Sequence, residues 1–472
     1  MSNRSSRERT GELAHGSIGL LPVLFQSVVL MGPAVAVTFS LQPSLPFAGV
    51  ALPLSALLAL GMLLCVASSV GQLGRVFADA GGLYAYISQA LGPRVGFVTA
   101  WINLFFQPFF AVLLYLVLTN ILQSTFDQIF GVTISFVWFV FLSAAIVFAL
   151  TVLGTRVSTE AQVILGLIEL SVFLVLAIWL IIDAGATNTL NAFNPGAATE
   201  AGLSGVGKGA IFVILAFVGF EGSAVLGEES VDPLRIIPRA VVLSCLVVGI
   251  FYTICSYATV VGWGPGNLGN YAENPNPWQA MATREWGLGW LLVFFALINS
   301  GIANATAGVN SCSRVLFSMG RSGLLPGVLA RTHPTFRTPH VAIAVNTVFA
   351  IIVALVAGWV WGPLTGFAVT ATAFVIMVIV WYMLGCVACL VEYSVRRRHE
   401  LNVLLHVVLP IIGFVALAFP LYYLYVPLAP YPIRLALWFA PAWIAVGVVL
   451  SLVLWQRRRD LVEDTQKVFM EE

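Results

Sequence analysis

Long runs of apolar residues, separated by short charged or glycine- and proline-rich stretches, are the main pattern along this chain. About 20 apolar residues are enough for a helix to cross the hydrocarbon layer of a membrane. The pattern predicts twelve such spans, at residues 17–41, 46–71, 93–125, 133–154, 157–183, 206–227, 238–262, 287–320, 340–358, 363–392, 403–426 and 431–456. The predicted fold class is therefore an all-α polytopic membrane protein.

Composition agrees with this prediction, since 60% of the 472 residues are hydrophobic and only 9% are charged. A soluble domain with so much apolar surface would aggregate, whereas membrane lipids solvate it. The net charge of +1 gives no indication of a nucleic-acid partner. Residues 1–16 are polar and do not resemble a secretory signal, so the first span is expected to stay in the protein. The oligomeric state is not specified by the sequence.

The positions of the basic residues predict the orientation. All but three of the 22 Lys and Arg residues fall in segments that one topology places inside, and the exceptions are Lys208, Arg284 and Arg434. Because loops rich in Lys and Arg stay in the cytoplasm, the tails 1–16 and 457–472 are both predicted to be cytoplasmic. The expected location is the plasma (inner) membrane.

Helix-weakening residues interrupt two spans at comparable depth, at residues 31–34 in the first span and 217–222 in the sixth. An interrupted helix leaves backbone groups that hydrocarbon cannot satisfy, so such breaks line a protein-enclosed or watered cavity. Each break opens a set of five spans, which predicts an inverted repeat of residues 17–183 and 206–392, followed by two additional helices at 403–456. For the first break alone, an ordinary Gly-Pro kink is the alternative.

The second break favours a binding site, because Gly219 and Gly222 bracket the ionisable Glu221. The N–H groups at the start of a half-helix attract an anion, and unwound carbonyls attract a cation. An α-amino acid carries both charges about one residue apart. Two facing breaks therefore match the part that all amino acids share.

Four stretches carry a resemblance to the amino acid-polyamine-organocation permease superfamily. They are Ala80-Gly81-Gly82-Leu83-Tyr84-Ala85-Tyr86 with Leu91-Gly92-Pro93, Phe217 to Glu221 with Gly227-Glu228-Glu229, Asp232-Pro233-x-Arg235 with Ile237 to Ala240, and Ser313-Arg314 to Pro326. The resemblance implies a leucine-transporter-like five-plus-five inverted repeat that binds an amino acid substrate.

The resemblance also implies where that substrate binds. Backbone around Gly32 to Ala36 would hold its carboxylate, and carbonyls near Phe217 to Gly219 its amine. Many relatives have Gly-x-Gly at the first break, whereas Pro33 has no N–H group here, so the carboxylate contacts are expected to shift to Ala34, Val35 and Ala36. The candidate substrate-binding residues are Gly32, Ala34, Val35, Ala36, Phe106, Gln107, Phe217, Val218, Gly219 and Phe220.

Two charged residues lie well inside the predicted spans, although a charge there costs at least ~2.5–3.5 kcal/mol. Glu169 lies about 18 Å along the fifth span, where the resemblance implies a lysine in some proton-coupled relatives. It is a candidate for proton coupling, or alternatively a protonated carboxyl bonded to a neighbouring helix. Glu221 is a candidate gate that senses substrate or protons, or alternatively a cap for N–H groups freed by the break.

Selectivity for the side chain is expected from Phe106-Gln107 in the third span, with Phe217 and Phe220 as aromatic lids. Because the sequence places no cation at mid-membrane, a neutral or apolar amino acid is the predicted substrate. No cofactor or metal is predicted, since the Cys386-x-x-Cys389 pair lacks further ligands. A proton-coupled symporter is the main prediction, and an amino acid or amine exchanger is the alternative. A lipid enzyme and a channel are less favoured.

Two further segments carry predictions. Residues 79–91 are predicted to form an interfacial helix with Tyr84 and Tyr86 at headgroup level, where it would latch an inner gate. Residues 263–286 contain Gly264-Pro265-Gly266-Asn267 and are predicted to be an irregular outer loop.

Overall fold

The computed structural model describes residues 18–77, 82–154, 159–200, 202–226, 230–321, 325–336 and 338–457. Outside these ranges lie the predicted tail 1–16, nearly all of the tail 457–472, the start of the predicted helix 79–91, and Gly227-Glu228-Glu229 of the second stretch that carries the family resemblance.

The described residues form α-helices joined by short turns. These helices are α1 (Leu20–Met31), α2 (Pro33–Val35), α3 (Leu45–Ala48), α4 (Leu52–Gly74), α5 (Gly82–Leu91), α6 (Pro93–Phe130), α7 (Phe136–Leu153), α8 (Thr159–Asp183), α9 (Leu203–Phe217), α10 (Pro233–Trp263), α11 (Leu268–Glu273), α12 (Pro277–Trp286), α13 (Trp290–Arg321), α14 (His340–Trp361), α15 (Pro363–Val391), α16 (Leu409–Tyr425) and α17 (Arg434–Arg457).

Twelve helical stretches among the described residues are long and apolar enough to cross a membrane, and each overlaps one predicted span. The predicted all-α polytopic fold is confirmed. The sixth stretch, Leu203–Leu226, differs from its prediction by only a few residues. The division into repeats 17–183 and 206–392 stays a prediction.

Proline and glycine set many of the helix ends. Proline occupies the first position of α6, α10 and α15, where its fixed φ suits a helix and its missing N–H leaves no bond unmade. Gly131 and Gly154 end α6 and α7 in the left-handed conformation that glycine adopts without strain. These residues explain why the boundaries between spans could be predicted from the sequence.

The structure has a buried centre and an apolar outer surface. The third and sixth spans are mostly buried, whereas in α7, α8, α16 and α17 only a third or less of the residues are buried. The exposed side chains include Trp138, Ile168, Val415 and Trp438. Because such a surface is unfavourable in water, these helices present the lipid-facing side of the protein.

Two short segments differ from the predictions. The segment 263–286 was predicted to be irregular, but it contains α11 and α12. Trp278 and Met281 of α12 are buried, and this packing stabilises the helix. The helix α5 forms as predicted, but Tyr84 and Tyr86 are 3% and 0% exposed. Their placement at headgroup level is therefore wrong, since both rings pack inside the protein.

The last helix, α17, is attached to α6 by a pair of tryptophans. The indole N–H of Trp101 donates to the backbone carbonyl oxygen of Trp443 at 2.9 Å. The indole N–H of Trp443 donates in turn to the backbone carbonyl oxygen of Trp101 at 3.1 Å. Their ring centroids are 4.6 Å apart and the rings are nearly parallel. This contact combines two hydrogen bonds with stacking, so it anchors an otherwise exposed helix.

We predict that Trp443→Ala lowers Tm in detergent by at least about 2 °C, because the indole hydrogen bond to Trp101 and the stacking are lost, whereas the backbone carbonyl that accepts from Trp101 remains. The control is Trp438→Ala on the same helix, whose side chain is 67% exposed. It should leave Tm nearly unchanged. Equal losses in the two variants would contradict this role for the tryptophan pair.

Candidate functional site

The first break lies at Gly32, between α1 and α2. Gly32 has a left-handed conformation (φ 54°, ψ 64°), and Pro33 starts the next helical turn. A Cβ at Gly32 would lie 2.6 Å from Asn304 Nδ2 on α13. Both the backbone conformation and the close approach therefore require glycine here.

The second break follows α9. Val218 is extended and Gly219 has φ 113°, after which residues Phe220–Leu226 form a 3₁₀ helix. A Cβ at Gly219 would lie 2.8 Å from the carbonyl carbon of Leu30 on α1. The two breaks are thus in direct contact.

Ser27 on α1 joins the two interrupted spans. Its hydroxyl donates to the carbonyl oxygen of Phe220 at 2.8 Å and accepts from the N–H of Ser223 at 2.9 Å. Both backbone groups belong to the 3₁₀ segment after the second break. One side chain therefore satisfies a donor and an acceptor that the irregular backbone leaves without helical partners.

Glu169 on α8 binds the start of α2. Its Oε1 accepts from the N–H of Ala34 at 2.7 Å, and its Oε2 accepts from Asn299 Nδ2 at 3.4 Å. The side chain is only 3% exposed. A carboxylate at the N-terminal end of a helical segment is stabilised by the N–H groups that point toward it.

The other N–H groups predicted to bind a substrate carboxylate also have partners. The N–H of Val35 donates to Ser300 Oγ at 3.4 Å, and that of Ala36 donates to the carbonyl oxygen of Gly32 at 2.8 Å. These N–H groups are therefore occupied in this structure by acceptors of the protein itself, and their role in binding a substrate carboxylate stays a prediction.

Several carbonyl groups next to the breaks are bonded as well. Asn304 Nδ2 donates to the carbonyl oxygen of Leu30 at 2.8 Å. The hydroxyl of Tyr252 donates to the carbonyl oxygen of Ala216 at 2.7 Å and lies 3.5 Å from that of Met31. In contrast, Asn304 Oδ1 is buried and has no hydrogen-bond partner among the described residues.

Glu221 binds the second break. Its Oε2 accepts from the hydroxyl of Tyr382 on α15 at 2.8 Å and from the N–H of Gly219 at 3.3 Å. The side chain is 9% exposed. The structure therefore shows the capping contact that was the alternative interpretation of Glu221, and its gating role stays a prediction.

The aromatic candidates lie in two places. Phe220 packs on Tyr382, with ring centroids 5.0 Å apart, so it covers the partner of Glu221. Phe217 packs edge-on against Tyr252, on the side of α10. Phe106 packs against Trp381 on α15.

Gln107 lies next to Phe106, and its Oε1 is buried without a hydrogen-bond partner in the described part of the chain. The backbone of Val218 forms part of the second break and is 3% exposed.

The breaks are closed off from solvent in this structure. Ala34 and Phe217 are fully buried. Two clefts of about 380 and 430 Å³ lie instead between α4 and α10, where Arg75 and Arg239 line both. These clefts do not include any residue of the breaks, so they are separate from the candidate site.

Several site residues were missed because sequence reasoning considered only charged groups within the spans. Asn299, Ser300 and Asn304 lie on α13, where Ser300 and Asn304 are one helical turn apart and face the first break. Their spacing of four residues in a largely apolar helix was the available signal. Tyr252 and Tyr382 carried no such signal, because buried tyrosines are common in membrane helices.

Comparison of the sequence with known proteins identifies the family. The sequence pattern of the family described as "Amino acid permease" matches residues 19–452. The chain belongs to this family. The predicted membership in the permease superfamily is therefore confirmed, and the permease is a multi-pass membrane protein and not an enzyme.

Three relatives of the permease cover much of its length. It is 26% identical to the low-affinity putrescine importer PlaP of Escherichia coli (strain K12), over 72% of this chain and 74% of the importer. It is 26% identical to the branched-chain amino acid permease BcaP of Lactococcus lactis, over 89% and 90% of the two chains. It is 25% identical to the serine/threonine exchanger SteT of Bacillus subtilis, over 61% and 64%.

We predict that Gly219→Ala disrupts the contact between the breaks, because its φ disfavours a side chain and the new Cβ would collide with the backbone of Leu30. Tm should fall by at least about 4 °C, with a loss of solute binding. The control is Gly266→Ala, where a Cβ meets nothing within 4 Å. A Gly219→Ala protein as stable and active as this control would contradict the interpretation.

Proposed function

We propose that the permease is a secondary active transporter that moves a small solute with an amino group by alternating access around the two breaks, driven by proton symport. Putrescine, branched-chain amino acids, serine and threonine, which the relatives' names specify, all carry amino groups. The predicted neutral or apolar amino acid falls in this class, as do simple amines. The plasma membrane, with both termini cytoplasmic, is the proposed location.

The observation that supports this proposal best is that each break is bonded to its own buried carboxyl group. Glu169 holds the N–H of Ala34, and Glu221 holds the N–H of Gly219. A hydrogen bond to a carboxylate is about twice as strong as one to a neutral acceptor. Protonation of either group therefore weakens its hold on a break, which links proton uptake to movement of the half-helices.

Movement is required because the residues at the breaks are almost entirely buried. The helix α1 packs against α8, α10 and α13, and the segment Phe220–Leu226 packs against α1, α5 and α10. The helix α5 approaches this segment closely, since a Cβ at Gly82 would lie 3.1 Å from Val225. We therefore propose that α5 latches the inner gate as the sequence predicted.

Exchange of one amino acid or amine for another is the second candidate function, and the similarity to a serine/threonine exchanger favours it. Uptake into proteoliposomes separates the two. Symport predicts accumulation of labelled solute above equilibrium when the outside is acidic. Exchange predicts uptake that depends on internal solute and is indifferent to the pH gradient.

We predict that Glu221→Gln abolishes accumulation driven by a pH gradient but retains solute counterflow. The amide oxygen of glutamine can still accept from Tyr382 and Gly219, whereas it cannot bind and release a proton. Uptake with and without an imposed gradient is the measurement. The control is Glu273→Gln, because Glu273 is exposed. Unchanged gradient-driven accumulation in Glu221→Gln would remove this carboxyl from the coupling mechanism.

A further inference from the structure

The start of α2 has little capacity left for a substrate carboxylate. Pro33 has no N–H group, and the N–H of Ala34 donates to Glu169 at 2.7 Å. The N–H groups of Val35 and Ala36 also have acceptors within the protein. The anion position that a half-helix creates is therefore filled by a carboxylate that belongs to the protein itself.

The groups with unused capacity at this break are hydrogen-bond acceptors. Glu169 Oε2 accepts from Asn299 Nδ2 only at the long distance of 3.4 Å, and the Ser300 side chain also hydrogen-bonds to this carboxyl group. Asn304 is 7% exposed, and its Oδ1 has no partner within the described ranges although its Nδ2 binds Leu30 at the break. A protonated primary amine offers three donors and no acceptor, which matches this set.

A cation that would pair with a substrate carboxylate is also missing from the described part of the site. Among the described Lys and Arg side chains, only Lys208 is buried, and it is paired with Glu200 at 2.6 Å. Lys208 lies eleven positions before Gly219, about 16 Å away along α9 at the helical rise. A substrate carboxylate at the break would instead meet the carboxylate of Glu169, and like charges repel.

We propose that Glu169 is a built-in substitute for the α-carboxylate of a substrate, and that the transported solute is a primary amine without a carboxylate. This inference rests on the proposed transport function and specifies its substrate class. The amine binds Glu169 Oε2 and Asn304 Oδ1, while Glu169 Oε1 keeps its bond to Ala34. An amino acid fits only if Glu169 leaves that bond.

The test uses two pairs of solutes that differ by one carboxylate, cadaverine with lysine and isopentylamine with leucine. Binding to the purified full-length protein is measured by thermal shift, and counterflow is measured in proteoliposomes. In the unmodified protein, the amine of at least one pair should bind at least about tenfold more tightly than its amino acid, since one charge-assisted hydrogen bond is worth that much.

The variant Glu169→Ala removes the carboxylate and frees the N–H of Ala34. In the pair whose amine binds the unmodified protein more tightly, this variant should change the ratio of the two affinities at least about tenfold in favour of the amino acid. The reason is that the carboxylate of the amino acid then takes the position that Glu169 has vacated. Glu169→Gln keeps an acceptor for Ala34 but loses the charge. It should weaken amine binding without strengthening amino acid binding. The control Glu273→Gln should leave both affinities unchanged.

The outcomes separate this inference from the proposed function. If the unmodified protein transports lysine or leucine and prefers it to the matched amine, the inference that Glu169 takes the place of a substrate carboxylate is wrong, while the proposed transport function stands. Putrescine, serine and threonine are measured alongside the two pairs. If none of these solutes binds or is transported, the proposed function fails and the inference fails with it, whereas transport of serine or threonine alone overturns only the inference. Should Glu169→Ala not fold, Glu169→Gln and the preference of the unmodified protein decide.

Discussion

The structure depends on one constraint, which is that backbone groups released from a helix inside a membrane must find partners within the protein. Side chains from four other helices meet this need at the two breaks. Glu169 and Asn304 bind the first break, Tyr382 holds the carboxyl group of Glu221 at the second, and Tyr252 binds the end of α9. The breaks persist because these partners replace the helical hydrogen bonds.

The same partners are central to the proposed transport mechanism. In that mechanism Glu169 and Glu221 make the breaks adjustable, because a bond to a carboxylate can be weakened by a proton, whereas a helical bond cannot. Ser27 links α1 directly to the segment after the second break. In the proposed mechanism, movement at one break would be transmitted to the other through these short contacts, as alternating access around a central site requires.

The sequence predicted the fold well because its signals are local. Span length follows from apolar runs, and the breaks follow from Gly32 and Gly219, whose backbone conformations only glycine adopts easily. The partners of the breaks could not be predicted, since Ala34 and Glu169 are 135 residues apart in the chain and their contact depends on how α1 packs on α8. The burial of individual side chains could not be predicted from the local sequence either. Tyr84 and Tyr86 pack inside the protein, although tyrosines in a short helix of this kind are typical of a membrane interface.

The most direct test of the central claim is a structure determined with a transported solute bound. The account predicts that the solute lies between the two breaks, with its amino group within hydrogen-bonding distance of Glu169 and with Ala34 still bonded to that carboxyl group. Solute bound in the clefts beside Arg75 and Arg239, or continuous helices through Gly32 and Gly219, would contradict it.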